Sequence, residues 1–308
     1  MDPNLWLEGE LAKDFRLARY YGFMSSVRNY APLTIVGYVS DIVQYAHFLS
    51  LQGKEVHTSE PKDLEAYMAF MSASNLSSHT ISRRVNSVHS YFKFLDRYFN
   101  IPSGAMLLVQ GPKLEKTVAE VMTPEEVASI IAQCPQNTTK GLRDRLILTL
   151  MYDTGIRSSE LINLKFDSLR LAEGVARIDG KGRKQRIVIL SQNCIRLLSA
   201  WLPIRKSLMV TEEAEDYIFV SLNDFEPMTR YTLWRIVHTY SKRAGIAKNI
   251  HPHTFRHSFA TSMLDGGADL PSIQTLMGHE SIATTANYTH TAMSHLRREI
   301  TSCHPSFR

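Results

Sequence analysis

Six side chains, in the order Arg157, Lys181, His253, Arg256, His279 and Tyr288, together form a toolkit for phosphate chemistry. Two guanidinium groups can clamp phosphate oxygens through paired N–H donors. A lysine and two histidines can carry or share protons, and a tyrosine oxygen can become a covalent link. Cutting a DNA strand with a tyrosine nucleophile needs this set. Taken singly, none of them is diagnostic. A phenol with a pKa near ~10 attacks at neutral pH only beside cations and a proton acceptor. The other five residues supply both.

Their local settings give the set its weight. Thr154-Gly155-Ile156-Arg157-Ser158-Ser159-Glu160 reads as the end of one helix and the start of the next. Gly155 suits a left-handed terminus, Ser158 or Ser159 can cap the second helix, and Arg157 is held beside a helix N-terminus that favours anions. Glu160 is read as structural, pairing with a cation or opening the helix. Lys181 lies in Gly180-Lys181-Gly182-Arg183-Lys184, the tip of a hairpin whose glycines let backbone approach a ligand. Arg183, Lys184 and Arg186 mark that tip as DNA-facing.

His251-Pro252-His253-Thr254-Phe255-Arg256-His257 opens a helix on which His253 and Arg256 share a face and can address one phosphate. His253 and His257, four apart, could hold a metal. No acidic partner of the His-Glu-x-x-His kind accompanies them, and Arg256 between them repels a cation, so no metal is expected. His257 is expected to pack inside. Gly278 ends a helix and exposes His279, and a short helix then presents Tyr288.

The positioning elements are mainly α with a small β-sheet. The first hundred residues read as helices only: one over 33–51 stopped by Gly53, a second opened by Thr58-Ser59-Glu60-Pro61, and a third from Ser77-Ser78. The third buries Ile81, Val85, Val88, Phe92 and Leu95. Its other face carries Arg83 and Arg84, open to solvent or to DNA. Residues 106–122 hold Gly111, Pro112 and scattered lysines without periodicity and read as a linker between domains 1–105 and 123–308. Thr123-Pro124-Glu125-Glu126 restarts order as a capping box. The second domain alternates helices at 124–133, 142–153, 159–164, 191–208 and 229–244 with a hairpin of 175–179 and 186–190. Asp216–Ser221 is a further candidate strand. The helix with Arg230, Thr232, Arg235 and His238 can read bases in a major groove.

Composition narrows the class. The chain has 308 residues, 44% hydrophobic, with a net charge of +5 that suits a polyanionic partner. Its 3 cysteines, Cys134, Cys194 and Cys303, are odd in number and far apart, which fits a reducing cytoplasm rather than a disulfide framework. No apolar run nears the ~20 residues of a membrane span, and the start lacks a signal-peptide pattern. A soluble, cytoplasmic, nucleoid-associated protein is expected.

These motifs resemble the tyrosine recombinase (phage integrase) superfamily, whose site is read in order as Arg, Lys, His-x-x-Arg, His/Trp and Tyr. The match covers nearly the whole chain, and within the superfamily the chain is most similar to Xer-type site-specific recombinases, down to His304-Pro305 after Tyr288. The resemblance implies a helical N-terminal core-binding domain and an α+β catalytic domain that together clamp duplex DNA. It implies that Tyr288 attacks a phosphate to leave a 3′-phosphotyrosyl bond and a free 5′-hydroxyl. Arg157 and Arg256 would stabilise the non-bridging oxygens, Lys181 would protonate the leaving oxygen, His253 would take the tyrosine proton and His279 would bind the phosphate. No cofactor is implied. Four protomers, identical or of two kinds, would act through a Holliday junction, with the tail at 291–308 docking on a neighbour and an accessory protein or second recombinase as a further partner. Dimer resolution and mobile-element integration are both open. From other classes, a non-cleaving DNA-binding regulator would lack an arginine or the tyrosine, and a type IB topoisomerase would relax DNA without a specific site.

Overall fold

The computed structural model describes residues 7–10, 13–114, 120–180, 185–278 and 290–308. The chain divides into two compact units, Met1–Thr117 and Val118–Arg308. Among the described residues, no helix is long and apolar enough to cross a membrane.

The first unit is helical: α1 (Phe15–Gly22), continued by a π-turn over Phe23–Val27, then α2 (Pro32–Ser50), α3 (Pro61–Ala73), α4 (Ser78–Phe99) and the short α5 (Gly104–Leu107). Helical periodicity builds its core: Ile35, Val39, Ile42, Tyr45 and Leu49 of α2 meet Ile81, Val85, Val88, Phe92 and Leu95 of α4. Ser77 caps α4 at its start, and Asn100 ends it in the left-handed conformation. Although residues 106–122 read as a linker, Met106 and Val109 are buried in this core. The Ser103 hydroxyl ties α5 to Asp96 at 2.6 Å. A single turn is too short to show a period, so its burial was invisible in the pattern.

The second unit is built around α7 (Thr139–Thr154), which is buried along almost its whole length and so lacks a polar face. It packs against α9 (Gln192–Ser207) and α11 (Pro252–Asp265). The remaining helices are α6 (Pro124–Ala132), α8 (Ser158–Ile162), α10 (Arg230–Arg243), α12 (Leu270–Met277) and α13 (His290–Cys303). The capping box of α6 forms as read: the Glu126 carboxylate accepts the Thr123 N–H at 2.8 Å, and the Thr123 hydroxyl accepts the Glu126 N–H at 3.2 Å.

The sheet has three antiparallel strands in the order β1 (Leu169–Arg170), β2 (Val175–Asp179) and β3 (Gln185–Ile189). Its hairpin pairs Val175 with Ile189 and Asp179 with Gln185. β1 is too short to be marked by alternation. Asp216–Ser221 is not a strand. It makes only isolated bridges, Lys165 to Tyr217 and Val220 to Pro227. Side chains occupy its carbonyls instead: Arg205 donates to Tyr217 O at 3.0 Å, Trp201 to Ile218 O at 2.9 Å and Arg143 to Val220 O at 2.9 Å. Its backbone bonds to 164–166, Phe166 N–H to Asp216 O at 3.1 Å and Ile218 N–H to Leu164 O at 2.8 Å, are too few to make a strand.

The tail, expected on a neighbour, packs here on its own unit. Leu296, Ile300 and Cys303 share a core with Phe259, Met263 and Ile273, and Phe307 lies partly buried against it.

Candidate active site

Arg157 sits between α7 and α8. Gly155 ends α7 at φ +57°, and a Cβ there would lie 2.5 Å from the Phe259 ring, so only glycine permits both the turn and the packing. The helix cap is Arg157 itself rather than Ser158 or Ser159. Its backbone N–H donates to Glu160 Oε2 at 2.8 Å. Its side chain, 37% exposed, donates from Nη1 to Glu160 Oε1 at 2.9 Å and from Nη2 to Gly278 O at 3.2 Å. Those two bonds engage two of the five N–H donors of a guanidinium.

Arg256 comes from α11, whose start is capped by His251: the imidazole Nδ1 accepts the Thr254 N–H at 3.2 Å. The Arg256 side chain is buried, and donates to Gly155 O and, at 2.7 Å, to Met277 O. Burial, reinforced by the Arg157 and Arg186 charges, lowers its pKa to about 10, which leaves it charged at neutral pH. The two arginines therefore converge on adjacent carbonyls, Met277 and Gly278, at the end of α12. A helix C-terminus carries partial negative charge, which draws cations.

His253 lies three residues before Arg256 on α11, with much of its side chain open to solvent. Partial burial and the neighbouring His251, His257, Arg256 and Arg230 lower its pKa, so it is neutral and able to accept a proton at neutral pH. His257, expected inside, is exposed instead. The core-facing side of α11 is taken by Phe255, Phe259 and Met263, and His257 lies on the opposite side.

Glu160, read as structural through pairing with a cation or opening the helix, does both and is the hub of the site. It is buried and takes two N–H donors from Arg186, Nη1 at 2.7 Å and Nη2 at 2.8 Å, besides those of Arg157. Burial would raise its carboxyl pKa, but Arg186 and Arg157 hold it below the usual value. Arg186, expected at a DNA-facing tip, is buried. Its strand position turns it inward, away from the hairpin end. Nothing in the local pattern marked the pair, because Glu160 and Arg186 belong to different elements. Three guanidinium charges against one carboxylate leave a net of about +2, a field suited to a phosphate.

Lys181, Arg183, Lys184, His279 and Tyr288 lie outside the described residues. The chain ends β2 and α12 immediately before those segments. Gly278, which closes α12 at φ +66°, is followed directly by His279.

Arg230 and Arg235 are exposed on α10. The sequence reading missed an aromatic ladder on the same helix. Tyr231 stacks on Trp234 at 6.0 Å, and Trp234 on His238 at 4.9 Å. Their i, i+3 and i+4 spacing was the signal that could have found it. In the first unit, Arg83 is exposed but pairs with the buried Asp41, and Arg84 donates to the Tyr67 hydroxyl at 3.2 Å.

Comparison with known proteins gives the family and the fold. Residues 120–295 match the phage integrase family, and residues 17–98 match the phage integrase N-terminal SAM-like domain. Tyrosine recombinase XerC of Staphylococcus haemolyticus is 32% identical over 278 residues, 90% of this chain and 93% of its own. Tyrosine recombinase XerD of Lacticaseibacillus casei is 32% identical over 291 residues, 94% of this chain and 98% of its own. The fold is shared with the XerH site-specific recombinase bound to a palindromic difH substrate, at TM-score 0.70 and 23% identity over 94% of this chain and 85% of that one. It is shared also with the Tn1549 transposon integrase in complex with transposon right end DNA, at TM-score 0.68 and 18% identity over 92% and 98%.

Proposed function

Because this chain belongs to the phage integrase family and is a tyrosine recombinase of Xer type, an enzyme that breaks and rejoins DNA, we propose that Tyr288 is its nucleophile. The phenol oxygen attacks a phosphorus of duplex DNA, forming a 3′-phosphotyrosyl ester and breaking the bond to the 5′-oxygen. His253 takes the phenol proton and Lys181 gives one to the departing oxygen. Arg157 and Arg256 neutralise the charge on the non-bridging oxygens, and His279 bonds the phosphate. One ester replaces another of similar energy, so attack by a 5′-hydroxyl from the partner strand reverses the step and exchanges strands. Four protomers exchanging two strand pairs in turn pass through a Holliday junction. The tail anchors Leu296 and Ile300 would serve a neighbour as they serve their own unit here.

The observation that carries this reading is the convergence of Arg157 and Arg256 on consecutive carbonyls one residue before His279. A suicide substrate, nicked so that the 5′-hydroxyl diffuses away, is the test. Wild type forms a covalent protein–DNA adduct on its selected site and Tyr288→Phe forms none. Adducts that persist in Tyr288→Phe overturn the assignment. The recovered site also separates dimer resolution, on a chromosomal or plasmid sequence, from integration at the ends of a mobile element.

A further inference from the structure

Three arginines from three elements each close on one of three consecutive carbonyls at the end of α12. Arg186 Nε donates to Leu276 O at 3.0 Å, Arg256 Nη2 to Met277 O at 2.7 Å and Arg157 Nη2 to Gly278 O at 3.2 Å. Arg157 and Arg256 form the phosphate clamp, and Arg186 has no part in it. Arg186 is 5% exposed and cannot meet DNA from that position. We propose that Arg186 is a positioning residue. It is a buried crosspiece that holds the Arg157 side chain, the end of α12 and the strand of the Lys181 hairpin in one frame. This rests on the catalytic reading of Arg157, Lys181, Arg256, His279 and Tyr288.

The geometry specifies an arginine there. Its fork takes both oxygens of Glu160, at 2.7 and 2.8 Å, while its third donor reaches the α12 carbonyl. A lysine ammonium is a point charge and cannot span both partners in this planar arrangement. Glu160 in turn fixes Arg157 at two points, its backbone N–H and its Nη1. The stem of Arg186 runs beneath Gly278, where a Cβ would fall 2.8 Å from Arg186 Cδ. Gly278 therefore meets two demands, the left-handed turn that leads to His279 and the passage of this arginine. From the other side, Arg186 stands opposite Ile178 in the β2–β3 ladder, so its anchor also fixes the two strands between which Lys181 falls in the sequence. A largely buried network tied at several points is stiff, which is what a phosphate clamp requires.

A simpler role, neutralising Glu160 so that the unit folds, makes a different prediction. Arg186→Met and Arg186→Lys are compared with wild type by melting temperature, by affinity for the recombination site and by single-turnover adduct formation per bound complex. The last is measured at saturating DNA and well below the melting point. Arg186→Met is expected to cut ~100-fold slower per bound complex, the scale of an ångström-size misplacement. Arg186→Lys keeps the charge, so it recovers most of the melting temperature yet stays at least ~10-fold slow. Should Arg186→Met not fold, Arg186→Lys carries the test by itself. A lysine variant whose cleavage recovers in step with its melting temperature overturns the proposal, as does wild-type cleavage by folded Arg186→Met. Absence of adducts from wild type instead defeats the catalytic reading, and this inference with it.

Discussion

In each unit of this protein one of the buried carboxylates is paired with two arginines, and the two arrangements do opposite things. In the first unit Asp41 holds Arg83 and Arg84, one of which is 54% exposed along its side chain, with the Ser87 hydroxyl donating at 2.7 Å. In the second, Glu160 holds Arg157 and the buried Arg186, and both arginines also reach carbonyls of α12. Asp41 steadies a cation that still faces water. Glu160 organises cations around a helix end. An arginine tethered once remains a surface charge for long-range attraction to DNA, whereas arginines tethered at several points become a preorganised clamp.

Removing the carboxylates is the strongest way to break that contrast. Glu160→Ala leaves Arg186 buried and unpaired, and is expected to cost the second unit about 3–5 kcal/mol. Asp41→Ala lets Arg83 turn to water, and is expected to cost the first unit about 1–2 kcal/mol. Hydrogen exchange resolved by unit measures both, and equal losses would erase the distinction. The arginines themselves should divide next. Arg256→Ala is expected to slow strand cleavage by ~10²–10³-fold with little change in affinity. Arg83→Ala should act on affinity and lower the salt slope of binding by about 1. Cleavage and salt-titration assays on one DNA site show which arginine belongs to which class.

The smallest effect concerns buried groups away from the clamp. His304 is buried among Tyr152, Phe259 and Phe307, and burial lowers its pKa to about 4. Folding thus keeps it neutral. The stability this contributes is complete above its ordinary value of 6.5 and is lost as pH falls through about 4, up to about 3 kcal/mol. Asp153, buried and raised to about 6, works the other way: its contribution is full below its ordinary 3.8 and is lost as pH rises through 6. Between pH 7 and 4.5 wild type should therefore lose melting temperature relative to His304→Gln. No such relative loss would mean that the imidazole is not held neutral.

Much of the fold was legible because it is written in short-range signals. Thr123 with Glu126, Gly155 and Gly278 mark helix ends through caps and left-handed turns, and those act within a few residues. The apolar stripe read on α4, Ile81, Val85, Val88, Phe92 and Leu95, is buried at every position, and Tyr91 and Phe94 widen it. The candidate strand at 216–221 was misread because its apolar run is a buried extended segment whose carbonyls bond to Trp201, Arg143 and Arg205. His257 was misplaced because spacing gives a helix face but not which face meets the core.

By itself, the sequence determined the order and type of the candidate residues, the placement of Arg157 and Arg256 near helix starts, and the family. Those properties reside in residue identity and in neighbours a few positions away. Only the tertiary structure decided that Glu160 and Arg186 meet, that Arg186 turns from a DNA-facing tip to a buried brace, and that three arginines share the end of one helix. Those facts depend on which elements pack together. Packing is settled by the whole core at once, and no local pattern encodes it.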